Sequence, residues 1–207
     1  LRGQVLCDPA IALTTGRIDV WLQVAATEER ALRSGTLVHL HAATQDCMAT
    51  VAVLGQPSIA PGAAAPAQLV LHKPANVWHG DRFILRDASA IRTVAGGAVL
   101  DPLGLARYRQ TPERLAYLET QRAEDPMVRL LGALAQAPYG VNGATWLRSS
   151  GLARWPFDLE NVPDIVVGAG GEWLVSRARL QENEAGLLRA LGDFHAKYPD
   201  EIGPDLL

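Results

Sequence analysis

Apolar residues fall at every second position over Ile18, Val20, Leu22 and Val24, with Asp19, Trp21 and Gln23 between them. A period of two belongs to a strand with one buried face. Similar short runs at Thr36 to Ala43, Met48 to Leu54, Leu69 to Lys73, Arg82 to Arg86 and Thr93 to Leu100 predict six or seven strands. Turn material separates them: Ser34-Gly35, the Pro- and Ala-rich stretch from Gln56 to Pro66, His79-Gly80-Asp81 and Asp87 to Ala90. Such spacing predicts a closed barrel or a sandwich, because closure removes unpaired strand edges.

After Asp101-Pro102-Leu103-Gly104 the period becomes helical. Thr111-Pro112-Glu113 is a start signal, a capping hydroxyl followed by proline at the first helical position, and predicts a helix to about Arg122. Asp125-Pro126 opens a second helix with Met127, Leu130, Leu131 and Leu134 on one face. A shorter helix is expected around Ala144 to Ser149. Ile165-Val166-Val167 and Trp173-Leu174-Val175, on either side of Gly168-Ala169-Gly170-Gly171, predict a hairpin with a glycine turn. Two helices, an irregular stretch and a hairpin make a winged-helix plan. A last apolar face (Leu180, Leu187, Leu188, Leu191, Phe194) predicts a long helix ending near Tyr198-Pro199. The expected divisions are a β-barrel at 1–104, a linker helix at 105–125, a winged helix at 126–178, and at 179–207 a long helix that caps the winged unit or opens a truncated second one.

Composition narrows the function. The 207 residues are 48% apolar, yet the long stretch from Ile59 to Leu71 is interrupted by Pro, Gly and Gln well short of the ~18 residues a membrane helix needs. Cys7 and Cys47 accompany no basic, signal-like start, so a reduced, cytoplasmic setting is expected. Acidic and basic residues balance up to Gly104, so the net charge of −3 belongs to the remainder. Neither part has the overall basic excess that wraps nucleic acid by charge alone; a polyanion would be met by a local patch. The chain opens at Leu1 rather than Met and is expected to be a piece of something longer.

Arg2-Gly3-Gln4-Val5-Leu6, Lys73-Pro74, Gly80-Asp81-Arg82-Phe83-Ile84-Leu85-Arg86-Asp87 and Arg92-Thr93-Val94-Ala95-Gly96-Gly97 together resemble the third domain of EF-Tu-like translation factors. In that domain an Arg-Gly-x-x-Leu strand opens the barrel, and a Gly-x-Arg-Phe hairpin closes it. Leu85 to Ala90, the His39-Leu40-His41 strand and the order of barrel then winged helix resemble SelB, the selenocysteine-specific elongation factors. The resemblance implies an all-β EF-Tu-like barrel followed by a mainly α winged-helix domain. It also implies a role in delivering selenocysteinyl-tRNA to the ribosome, with the mRNA selenocysteine-insertion hairpin gripped by modules further downstream. The sequence holds no G-x-x-x-x-G-K-S/T loop, so GTP and magnesium are expected in an upstream nucleotide domain, and no catalytic residue or cofactor is expected in this piece.

The expected work of the barrel is sequence-blind contact with the tRNA T stem. By motif match, Lys73 occupies the Lys-Pro position that makes such a contact in some EF-Tu proteins. Arg86, Ser89 and Arg92 flank the turn whose counterpart lies against the T stem, and His39 falls at a polar contact position. Met48 replaces a threonine beside it, so the carry-over at that strand is partial. Arg82 shares a strand face with Arg86 and is assigned to structure, while a salt bridge from Arg86 to Asp87 or Asp81 is the bland alternative. His39 and His41 form an H-x-H pair with Asp46, Cys47 and His72 as the available further ligands; no metal is expected there, but a cupin-like metalloenzyme is the reading they would support. A winged-helix DNA-binding regulator is the other rival. Pro156, Asp158, Glu160, Pro163 and Asp164 crowd the recognition region, so the winged unit is expected to be a spacer packed by Trp146, Leu147, Trp155 and Trp173, with neither DNA nor membrane as partner.

Overall fold

The computed structural model describes residues 3–168 and 170–200, so Arg2, Ala169 and the segment 201–207 named above lie outside it. Strands run β1 (Thr15–Val24), β2 (Leu32–Arg33), β3 (Leu37–Ala42), β4 (Gln45–Val53), β5 (Ser58–Ile59), β6 (Ala64–Ala75), β7 (Arg82–Arg86) and β8 (Thr93–Asp101). Six of them close an antiparallel barrel in the order β1-β6-β4-β3-β7-β8, with β8 returning to pair β1, while β2 and β5 form a small separate ribbon. Alternation fixes which side chains fill it. Ile18, Val20 and Leu22 of β1, Val38 and Leu40 of β3, Leu69 of β6 and Leu85 of β7 are fully buried or nearly so. Closure also needs Gly97: a Cβ there would lie 2.0 Å from the Trp21 carbonyl oxygen, so only glycine lets β8 approach β1 at that point.

Two expectations for the barrel change. The segment from Gly3 to Leu6 forms no strand and Leu6 is fully exposed, because β1 and β8 already complete each other and leave no edge for it. The Pro- and Ala-rich stretch is partly sheet: β6 begins at Ala64, and the Pro66 carbonyl accepts a hydrogen bond from the Leu54 amide at 3.1 Å. A proline lacks a donor but keeps its acceptor.

The helical part comprises α1 (Pro112–Thr120), α2 (Pro126–Gln136), β9 (Val141–Asn142), α3 (Gly143–Ser149), β10 (Ile165–Val167), β11 (Trp173–Ser176) and α4 (Arg177–Lys197). Both Pro-led helices are capped: Thr111 accepts from the Arg114 amide and Asp125 from the Met127 amide. The hairpin gains a third strand, β9, and the sheet order is β10-β11-β9. Its core joins Leu130, Leu134, Trp146, Ile165 and Leu174, with Trp155 stacked on Trp146 at 5.3 Å between ring centroids. Trp173 is not part of it. Leu174 takes the buried side of β11, so its neighbour faces outward and stays half exposed. Where a recognition helix was in question, only a 3-10 turn at Leu159–Asn161 forms.

One buried ionic cluster joins barrel and helices. Asp19, fully buried in β1, accepts from Arg114 Nη2 at 2.5 Å and Nε at 3.2 Å, and the same Nη2 reaches Asp101 at 2.7 Å. Gln68, also fully buried, donates to Asp19 at 2.8 Å and accepts from Arg109 at 3.2 Å. Burial pushes the Asp19 carboxyl up while Arg114 pulls it down; burial also opposes the Arg114 charge, but the two carboxylates prevail and the guanidinium is held more firmly protonated than usual. His79, between β6 and β7, adds a second tie: its amide donates to the Ser149 carbonyl at 2.9 Å and its Nε2 lies 2.8 Å from the Gln121 carbonyl.

Candidate nucleic-acid interface

The outer face of the barrel is built by the same alternation that builds its core. With Val38, Leu40 and Ala42 inward, His39 and His41 must point out; with Phe83 and Leu85 inward, so must Arg82, Ile84 and Arg86. Strand register then pairs His39 with Arg86 across β3 and β7, and His39 with Met48 across β3 and β4. Two of the five residues singled out by motif are thus cross-strand neighbours.

The turn after β7 holds two more. Asp87 Oδ1 accepts from the Ser89 hydroxyl at 3.0 Å, the Ile91 amide at 2.9 Å and the Arg92 amide at 3.3 Å, an Asx-type cap that fixes the turn. The Ile91 amide is the main reason this carboxyl is held below its ordinary range. Ala90 takes the left-handed conformation at φ 56°, and Ile91 stands exposed at the tip. Arg86 folds back, donating from Nη1 to the Ala90 carbonyl at 3.2 Å, while its buried Nε has no partner. It pairs with neither Asp87, which caps the turn, nor Asp81, which accepts from the Trp78 amide. Arg92 forms an ion pair with Glu28, a contact across 64 positions that no local pattern announces.

Lys73 stands apart from that turn. It lies exposed on β6 and lines a groove of about 810 Å³ with His41, Asp46, Cys47 and Asn76. Burial pushes the Cys47 thiol up, Asp46 adds to that, and Lys73 opposes it. Beside Lys73, His72 Nε2 lies 2.9 Å from the Thr50 hydroxyl. His72, which the sequence offered as a further ligand for His39 and His41, is exposed on β6. His39 and His41 both approach Asp46 Oδ1, at 3.4 and 3.9 Å, and their rings stack at 6.3 Å. Among the described residues no group of three or more His, Cys, Asp or Glu side chains is placed to hold a metal ion. Arg82 pairs with Ala98 in the β7–β8 ladder, and its exposed side chain makes no hydrogen bond or ion pair among the described residues.

The surface therefore offers guanidinium, imidazole and ammonium groups on the outer face of the barrel. Donors of this kind suit phosphate oxygens, which they meet through charge and hydrogen bonds without reading a base.

Comparison with known proteins agrees with this architecture. Residues 17–105 match the family model described as the selenocysteine-specific elongation factor, beta-barrel domain. The selenocysteine-specific elongation factor of Desulfomicrobium baculatum is 30% identical over 132 residues, covering 63% of this chain and 21% of that protein. A crystal structure of a bacterial selenocysteine-specific elongation factor, EF-Sec, superposes on 96% of this chain with a TM-score of 0.65 and 14% identity, over 29% of its own length. The chain thus spans between a fifth and a third of these relatives. At 14% identity the structural likeness speaks for the fold alone, while the family model matches the barrel, residues 17–105, to the beta-barrel domain of the selenocysteine-specific elongation factors.

Proposed function

We propose that the chain is a portion of a selenocysteine-specific elongation factor, acting in the cytoplasm, whose barrel holds the backbone of the T stem of selenocysteinyl-tRNA. The winged unit is then a spacer toward modules that grip the mRNA hairpin. GTP and magnesium belong, on this reading, to an upstream domain of the whole factor, which works on the ribosome. The observation that carries the proposal is the registered pair of His39 and Arg86 on the outer face of the family's barrel, beside a turn that Asp87 holds in shape. Arg86 keeps a buried Nε without a partner, and Lys73 extends the cationic surface across the groove. Ser89 and Arg92 contribute differently: the Ser89 hydroxyl serves the turn, and Arg92 would have to leave Glu28 to meet a phosphate. The spacer role is supported by the acidic, Pro-rich stretch of the winged unit, which forms a 3-10 turn at Leu159–Asn161 in place of an α-helix.

The test is tRNA binding by the full-length factor carrying Lys73→Ala together with Arg86→Ala. Loss of two charge-assisted contacts should weaken binding by about tenfold or more and reduce the salt slope, with little change in melting temperature. Unchanged affinity would remove both residues from the interface.

A further inference from the structure

Between the barrel and the start of α2 lies a cleft of about 450 Å³, framed by Trp21, Arg82, Arg122, Glu124 and Arg129, with His79 at its side. Its cations come from separate elements. Arg82 projects from β7, exposed and unpartnered. Arg122, just past α1, lies over the Trp21 ring at 3.9 Å from its centroid, a cation–π contact that holds the guanidinium beside the cleft. Arg129 is 6% exposed; Nη1 donates to the Ala123 and Glu124 carbonyls, the guanidinium lies 6.0 Å from the Trp146 ring centroid, and Asp125 supports its charge, but it makes no direct ion pair among the described residues and its buried Nε has no partner. A buried guanidinium in no direct ion pair, with a free Nε and beside an open cleft, is the arrangement that an anion would complete.

The acidic groups present are weaker opponents. Glu119 pairs with Arg122 at 2.5 Å, but this is an exposed i,i+3 contact of the kind that contributes little and yields readily to a stronger anion. Glu124 lines the cleft with its carboxylate unpaired.

Position completes the case. Arg82 and Arg86 lie on the same face of β7, four residues or about 13 Å apart along the strand. A duplex presents phosphates far more densely than that, so a stem lying over Arg86 with its axis along β7 passes Arg82 and reaches the cleft. Resting on the T-stem reading above, the geometry points to a second phosphodiester-binding site at the junction of barrel and linker helix. Arg82 and Arg122 contact the RNA backbone there, and Arg129 supplies positive potential from below.

The test compares two RNA stems on this chain at low salt, one shorter than the spacing of Arg82 from Arg86 and one about three times that spacing. Arg82→Ala, which removes no side-chain hydrogen bond or ion pair, should weaken the long stem about three- to tenfold and lower its salt slope by about one, leaving the short stem unchanged. Arg122→Ala should act in the same way, with Trp21 fluorescence and a melting curve reporting whether its stacking loss disturbs the fold. Glu124→Gln should tighten the long stem alone. If Arg82→Ala and Arg122→Ala leave the long stem untouched while Arg86→Ala weakens both stems, the junction site is refuted and the T-stem reading stands. If Arg86→Ala also has no effect on either stem, both fall together.

Discussion

The two helices that flank the winged unit invert the usual relation between length and anchorage. α1 has 9 residues and modest amphipathicity, yet Leu118 is buried to 1% exposure, and Arg114 grips two barrel carboxylates. α4 has 21 residues and buries none of its side chains. It is tied near its start by Arg179 donating to the Ala135 carbonyl at 3.1 Å and Asn183 to that of Pro138 at 2.9 Å, while Leu187 and Leu188 stand exposed. A helix is held by what its face meets, and periodicity records only that a face exists. For α1 the complementary surface is the barrel itself, prepared by Asp19 on one strand and Asp101 on its neighbour.

That contrast breaks most sharply at Arg114. Replacing it with alanine leaves Asp19 and Asp101 buried beside each other without a counter-charge, which should cost about 3–5 kcal/mol. Chemical denaturation of the whole chain would show it. A cost under about 1 kcal/mol would mean that the cluster does not hold α1 to the barrel.

A smaller effect should follow pH. Burial holds His79 below its ordinary value, with the Gln121 carbonyl pulling the other way. The unfolded chain then takes up this proton first as pH drops. Stability is therefore full above about pH 6.5 and is lost as pH falls through the lower, folded value. His79→Gln keeps a donor for the Gln121 carbonyl and removes the titration, so melting curves of this variant should be flat across that interval where those of the parent decline. Asp19 works in the opposite sense and at lower pH: its raised value makes the folded chain the better proton acceptor, so its own contribution declines as pH rises through that window.

The smallest effect should come from α4. Leu188 is 70% exposed, and Leu188→Ala should change stability by less than about 0.5 kcal/mol. A loss above about 2 kcal/mol would show that its apolar face is covered in solution and would erase the contrast with α1.

Much of this was legible in advance because it is local. Ile18, Val20, Leu22 and Val24 declare their strand by period alone, and Thr111-Pro112 and Asp125-Pro126 declare two helix starts by capping chemistry. His39 and Arg86 were reached by motif, and alternation alone assigns each to the outer face of its strand. Other features depend on which elements end up side by side. Leu6 looked like part of a strand but has no edge to join, and Trp173 looked like core but sits one position out of phase with Leu174. Arg82 was assigned to structure, and its side chain makes no hydrogen bond or ion pair among the described residues. The grip of Arg114 on Asp19 spans 95 positions, and the pairing of Arg92 with Glu28 spans 64.

The sequence by itself determined the periods, the caps, the turn residues and the absence of a phosphate loop from these residues, since each is written within a few neighbouring positions. Only the tertiary structure decided which charges are already neutralised and which remain free. Closing a barrel brings distant side chains within hydrogen-bond reach, and Coulomb energy in a buried site depends on separation in space, not along the chain.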